Sequence, residues 1–458
     1  MEHIGNLPPW GLGKTVHDPA TAMIFPAIES GIPEALDDAL DRRRRGAWHY
    51  DVLGASRLLR LELLQAAQPN RSFQDTLREV WHVWLHAGLV SGPMPSSSAL
   101  AQARARLPTW ALEMLFHHTA ASAHLWPRHP LCPEFRLLAI DGVPLPLPRT
   151  PSNLAHFGTT RSQHGDAYYP QALAVWASHL PGFVVSSEYL GTACESDQCV
   201  SPHMLPKLLQ PRDLILGDAH FGTYPNVAVI QKCEAFHLVR APGTFLPENH
   251  RTGEGAPEDV DLLVTPTPYT RSRYREMALP QELRMRAVRL EIPARDEMNR
   301  TERAVFLTNL SRSEFPRERL ATLTPLRWGE ETLHNDIKTR LGLGEVRSGD
   351  PAGVRRETLA HLCLSNLLRF FLLIANPTAP WEGSFSAART ALAQANHQLR
   401  WQPHDREKIM RDMADVIRSQ PLDSRPDRAE PRIRRPSKHP YPISKTPRSD
   451  WRAARKAG

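Results

Sequence analysis

The chain has 458 residues, 41% of them hydrophobic, with 56 Lys and Arg against 49 Asp and Glu and a formal net charge of +7. The length suggests about three domains, and the apolar share excludes wholesale disorder. No run reaches the ~18 uncharged apolar residues of a membrane span; the best, Leu367 to Ala375, is short and is interrupted by Arg369. The opening MEHIGNLPPW has no basic segment followed by an apolar one, so no secretory signal is expected there. Five cysteines, an odd number without a CxxC pair, make neither a disulfide framework nor a zinc hook, and a reducing cytoplasm is the expected setting. Residues 422–458 hold 11 Lys and Arg against 4 Asp and Glu, which accounts for the whole net charge of +7. This Pro-rich basic tail either contacts a polyanion or solubilises the chain, and charge alone does not choose.

Residues 1–130 are expected to be a helical domain. Asp51 or Ser56 is placed to cap a helix carrying Leu58, Leu59, Leu61, Leu63 and Leu64. Ser72 is placed to cap another, with Leu77, Val80, Trp81, Trp84 and Leu85 at helical spacing. Ser96 to Ser98 open a third, SSSALAQARARL. The two tryptophans read as core, and the run Arg42 to Arg45 as a solvated face.

At Phe135 the period changes. Short apolar runs at 135–141, 171–178, 183–190, 212–218 and 235–241 predict five strands, with helices over about 201–209 and 226–234. Pro181-Gly182 predicts a hairpin between the second and third strands. Residues 131–241 form the first part of an α/β core. Residues 242–325 alternate with period two in 260–264, 284–292 and 303–310, a β-rich block of their own. Residues 326–420 return to helix, from Trp328 to about Leu343, Val354 to Ala375, and about Phe385 to Ser419, before the tail at 421–458.

Two acids end strands, Asp141 after LLAI and Asp218 after LILG. Each alone can be a turn-forming Asp. In the first and fourth strands of this order they would lie side by side, as a two-carboxylate metal site requires. Arg327, Glu331 and Lys338 share one face of a helix at i, i+4 and i+11, which can also be a surface ion-pair stripe. His220 reads as structural, and Asp166, Glu188 and Asp197 as surface or loop acids. The histidines show no HExxH spacing, and no GxGxxG, Walker A or GxSxG motif supports a small-molecule enzyme.

AIDG, LILGDAHFG and Arg-x3-Glu-x6-Lys, in this order, resemble the three blocks of DDE transposases of the insertion sequence four group. The resemblance covers about residues 30–400, including SSSALAQARARL and the Lys338-x-Arg340-Leu341-Gly342-Leu343 segment; the family's Tyr position falls on Thr324. It implies an α/β protein with an RNase H-like core, a five-stranded mixed sheet with flanking helices, a β-rich insertion at 242–325, and an N-terminal helical DNA-binding domain. It also implies Asp141, Asp218 and Glu331 as catalytic ligands of two Mg²⁺ ions, with Mn²⁺ as a substitute. Arg327, Lys338 and Arg340 would contact DNA. The expected activity is cleavage at terminal inverted repeats and 3′-end transfer into target DNA, by at least a dimer in the cytoplasm. No Trp lies between Trp176 and Trp328, so base stacking in the insertion would fall to Tyr269, Tyr274 or Phe306. A DNA-binding protein without catalysis and a metal-dependent nuclease without strand transfer are the alternatives.

Overall fold

The computed structural model describes residues 34–42, 53–68, 71–86, 88, 90–162, 165–242, 258–293, 301–401 and 405–422. The basic tail, the Arg run beyond Arg42 and Asp51 lie outside these residues.

The N-terminal region is helical, with α1 (Glu34–Arg42), α2 (Ala55–Ala67), α3 (Phe73–His86), α4 (Ser97–Arg106) and α5 (Thr109–Ala120). Two of the three expected caps form; α2 instead starts from Gly54 without a side-chain cap, with Ser56 inside the helix. Ser72 Oγ accepts the Asp75 N–H at 3.1 Å, and Ser96 Oγ the Ala99 N–H at 3.3 Å, satisfying donors that a helix start leaves open. Trp81 and Trp84 are buried, as core. Buried Glu62 on α2 is reached by Arg104 on α4 at 2.8 Å, which ties these helices together.

The centre is one eight-stranded sheet. Its strands are β1 (Arg136–Pro146), β2 (Gln171–Leu180), β3 (Val184–Thr192), β4 (Asp213–Gly217), β5 (Phe236–Arg240), β6 (Asp259–Val264), β7 (Leu283–Pro293) and β8 (Thr301–Thr308). Their spatial order is β3-β2-β1-β4-β5-β8-β7-β6. β1, β4 and β5 are mutually parallel, and the remaining neighbours are antiparallel. The 242–325 block therefore does not stand apart. It continues the sheet, with Leu307 of β8 opposite Val239 of β5.

Between the strands run α6 (Pro151–Phe157), α7 (Asp197–Leu208), α8 (Tyr224–Lys232) and α9 (Pro268–Arg273). After β8 come α10 (Arg317–Leu323), a 3-10 turn at Thr324–Trp328, α11 (Gly329–Asn335) and a π-turn at Asp336–Arg340. The C-terminal helices are α12 (Pro351–Ala375), α13 (Phe385–Trp401) and α14 (Arg406–Arg418). Leu138, Ile140, Val175 and Ala177 face α7 and α8 through Val200, Met204 and Ile230. Leu137 and Ala139 face the other way, in a cluster with Leu320 and Leu323 of α10, so helices cover both sides of the sheet. α12 is long and apolar enough to cross a membrane by length and composition, yet it is 89% buried inside the protein.

Strand β1 runs five residues past Asp141. Beyond Ala139 it pairs only with β2, so Pro144 and Pro146 sit where one flank needs no N–H donor, which a strand tolerates.

The register of β1 on β4 is locked by a buried charge pair. Arg136 and Asp213 are direct partners in the ladder. Arg136 Nε donates to Asp213 Oδ1 at 2.8 Å, and Asp213 Oδ2 also accepts the Gln210 N–H at 2.7 Å. Asp213→Ala strands Arg136 in the interior and should lower stability by about 3–5 kcal/mol, read as a fall in the urea midpoint. Arg136→Met with Asp213→Leu should recover much of that loss.

Candidate active site

Ala139 of β1 stands opposite Leu216 of β4. Two residues on, the same register sets Asp141 opposite Asp218, just past the end of β4 at Gly217. The parallel arrangement points both strands the same way, so the two acids stand at one level, Asp218 just past the end of β4 but Asp141 inside β1, which does not end there as its sequence suggests but runs on to Pro146. Both are half-buried. Asp141 Oδ1 accepts the Gly142 N–H at 2.8 Å, and Asp218 Oδ1 accepts the His220 N–H at 2.8 Å, an Asx-type turn that fixes its carboxylate.

The electrostatics are frustrated. Burial pushes Asp141 up to about 6, and the charges of Asp218 and Asp197 add to the rise. The Gly142 N–H and the Arg327 guanidinium oppose it without cancelling it. Such a site gains from a cation, since carboxylates held together without a counter-charge add to the cost that burial already imposes on each.

Asp197, read from sequence as a loop or surface acid, belongs to this neighbourhood. It opens α7, four residues earlier than the predicted helix. A Cβ at Gly142 would lie 2.8 Å from Asp197 Oδ2, so the missing side chain is what admits this third carboxylate. His220 Nδ1 lies 3.6 Å from the same oxygen.

On the opposite side, α11 packs over β1 and β2. Glu330 is fully buried, and its Oε1 accepts from Ser178 on β2. Burial holds its carboxyl well above the usual range, and the charge of Asp141 adds to this. Glu331, the residue in register with the sequence motif, is exposed on the next position of α11. It does not complete a three-residue group with Asp141 and Asp218: among the described residues, no three His, Cys, Asp or Glu stand close enough together to hold a metal ion. His334 lies 3.9 Å from Asp141 Oδ2 and edge-on to Trp176, with ring centres 5.3 Å apart. Burial and the nearby Lys338 charge lower it to about 4, so it is neutral at pH 7. Glu330 Oε2, His334 Nε2 and Trp176 Nε1 lack hydrogen-bond partners among the described residues.

The cationic residues divide. Arg327, in the 3-10 turn, acts electrostatically on both Asp141 and Glu330. Lys338 Nζ donates to the Pro144 carbonyl at 3.3 Å, so the ammonium lies along β1 near Asp141. Arg340 pairs with Asp336 at 2.7 Å.

An oxygen-only donor set, a mutual repulsion between two half-buried acids and an opening to solvent suit a hard divalent cation such as Mg²⁺ or Mn²⁺, which keeps several waters. Asp141 and Asp218 fit that role.

Residues 133–367 match the family described as the transposase DDE domain. The chain is 24% identical over 360 residues to the transposase InsG for insertion sequence element IS4 of Escherichia coli strain K12, covering 76% of this chain and 79% of that protein. Among solved structures, the piggyBac transposase synaptic complex with hairpin DNA aligns at a TM-score of 0.43 and 10% identity, over 88% of this chain and 86% of that one.

The repulsion between Asp141 and Asp218 has a measurable sign. Asp141 is raised in the folded state, so its contribution opposes folding above about pH 6 and vanishes below about pH 4. Asp218→Asn should therefore stabilise the protein at pH 7–8 by up to about 1 kcal/mol, and this gain should disappear in urea melts at pH 4.

Proposed function

From a chain that belongs to the IS4 family of DDE transposases, we propose an enzyme that binds the terminal inverted repeats of its element, cuts there and transfers the 3′ ends into target DNA. The observation that carries the reading is the placement of Asp141 beside Asp218 on the adjacent parallel strands β1 and β4, under mutual repulsion. The order β3-β2-β1-β4-β5, antiparallel for the first two strands and parallel for the rest, supports an RNase H-like core, with β6 to β8 as the insertion.

In this reading Asp141 and Asp218 would hold divalent ions, and Glu331, which stands exposed on α11 and apart from them, would supply the third carboxylate. The bound ions supply a polarised phosphodiester and an activated water or 3′ hydroxyl. The chain itself does the positioning. Arg327 offers a planar fork to a phosphate and Lys338 a point charge, while Arg340 adds to the positive field over the same cleft. Lys338 uses one N–H on Pro144 and keeps two for an anion. The helices of residues 1–130 would read the terminal repeats and the basic tail would add phosphate contact. Synapsis of two ends requires at least a dimer, acting in the cytoplasm on double-stranded DNA.

The adjacent pair Glu330 and Glu331 supplies the decisive comparison. Glu331→Gln should reduce Mg²⁺-dependent cleavage of a duplex carrying the element's terminal repeats by about a thousandfold or more, the order of losing one main electrostatic contact to the reacting group, with end binding retained. Glu330→Gln keeps the shape and hydrogen-bonding capacity of a carboxyl that burial pushes toward its neutral form, and should stay within about tenfold of the parent, a barrier change of at most 1.4 kcal/mol. The reverse pattern assigns the third ligand to Glu330. Full cleavage in Asp141→Asn or Asp218→Asn would falsify the catalytic reading. Specific end binding without cleavage in the parent chain would favour a DNA-binding protein derived from a transposase.

A further inference from the structure

Arg369, which breaks the apolar run of α12, is 5% exposed and plays no part in the chemistry above. Its guanidinium lies 4.4 Å from the ring centre of Phe385 and 5.3 Å from that of Phe183. Arg369 Nη2 donates to Asp336 Oδ2, and Asp336 is fully buried. The other oxygen of Asp336 accepts from Arg340 at 2.7 Å. From α13, Arg389 donates to the Arg340 carbonyl. Two arginines, one on α12 and one on α13, thus grip the ends of one π-turn, Asp336–Arg340.

Lys338 is at the middle of that turn. The Leu341 N–H closes the turn on the Asp336 carbonyl at 2.9 Å, and the Gly344 N–H bonds the Lys338 carbonyl at 2.9 Å. A Cβ at Gly344 would stand 3.0 Å from that same oxygen, so the chain after the turn folds tightly back onto Lys338. The Lys338 side chain leaves in the other direction, to Pro144, three residues past Asp141 on β1.

A buried ion pair is a poor source of net stability, because desolvation offsets the Coulomb gain; its better-attested use is to fix a register. A π-turn is a rare, strained departure inside a helix, found most often at functional sites. It re-aims the residues within it and needs neighbours to hold it. Here the neighbours are charged, buried and directed at the turn.

We propose that Asp336 and Arg369 are positioning residues that hold the π-turn so that the Lys338 ammonium stays on β1 near Asp141, against a phosphate of the strand being cut. This rests on the reading of Lys338 as a phosphate contact.

A double-mutant cycle on the full chain tests it, with a duplex carrying the element's terminal repeats and Mg²⁺. The arms are Lys338→Ala, the charge-free pair Asp336→Asn with Arg369→Met, and all three substitutions together. Lys338→Ala should slow cleavage by about tenfold or more and lower the slope of log affinity against log salt by about 0.9, one phosphate contact. The pair should reproduce both effects, and the triple variant should be no worse than Lys338→Ala alone. Losses that multiply in the triple variant, or a parental salt slope in the pair, overturn the positioning role, since a merely structural pair acts independently of Lys338. A parental rate and slope in Lys338→Ala removes the phosphate reading itself, and the positioning role with it. Should the charge-free pair fail to melt cooperatively, Arg369→Lys carries the same cycle, with a smaller loss expected and the same non-additivity required.

Discussion

The parallel pairing of β1 with β4 is the constraint on which the site depends. Arg136 against Asp213 fixes the register at the start of the two strands, and the ladder carries it as far as Ala139 and Leu216, two residues before the acids. Five residues after that pair, both strands deliver a carboxylate at the same level. Neither Asp141 nor Asp218 is placed by a loop of its own choosing. The repulsion between them is borne by a framework with well-buried strands on both sides.

Three layers converge on this pair. From one face, the start of α7 brings Asp197 through the gap left by Gly142. From the other, α11 brings Glu330, His334 and, through the π-turn, Lys338. The insertion reaches the same neighbourhood, because Arg273 at the end of α9 contacts the Cys199 sulfur at 3.2 Å, two residues after Asp197. The exposed ring of Tyr269, one of the aromatics read from sequence as a stacking face, is hydrogen-bonded by that same arginine at 2.8 Å. The strands of the insertion thus extend the sheet while their connection returns to α7.

Much of this was legible from residue pattern. All eight strands follow apolar runs or period-two alternation, and the adjacency of Asp141 and Asp218 follows from strand order with the short hairpin at Pro181-Gly182. What pattern could not supply is phase and long-range geometry. Asp197 looked like a loop residue because the apolar pattern starts the helix at Ser201, one turn later than its true start. Neighbouring helical positions differ by about 100°, so motif spacing alone did not show that Glu330 turns inward beside the outward Glu331. Its place three and seven residues before Leu333 and Ile337 on one buried stripe was the available signal. The π-turn left none, since it is held by Arg369 and Arg389 from more than thirty residues away along the chain.

Helix α12 has a consequence for synthesis. Its residues Leu359, Leu362 and Leu364 belong to the same apolar cluster as Leu58 and Leu63 of α2, Leu112 of α5 and Val184 of β3. The wall shared by the early helices and the sheet is therefore supplied by a segment made long after both. While a ribosome is still upstream of codon 351, these surfaces have nothing to close against, and a prematurely terminated product would present them to chaperones and proteases. Competence then arrives with translation of α12, so a frame-shifted copy lacking it is a target for clearance and not a stable competitor of the intact protein.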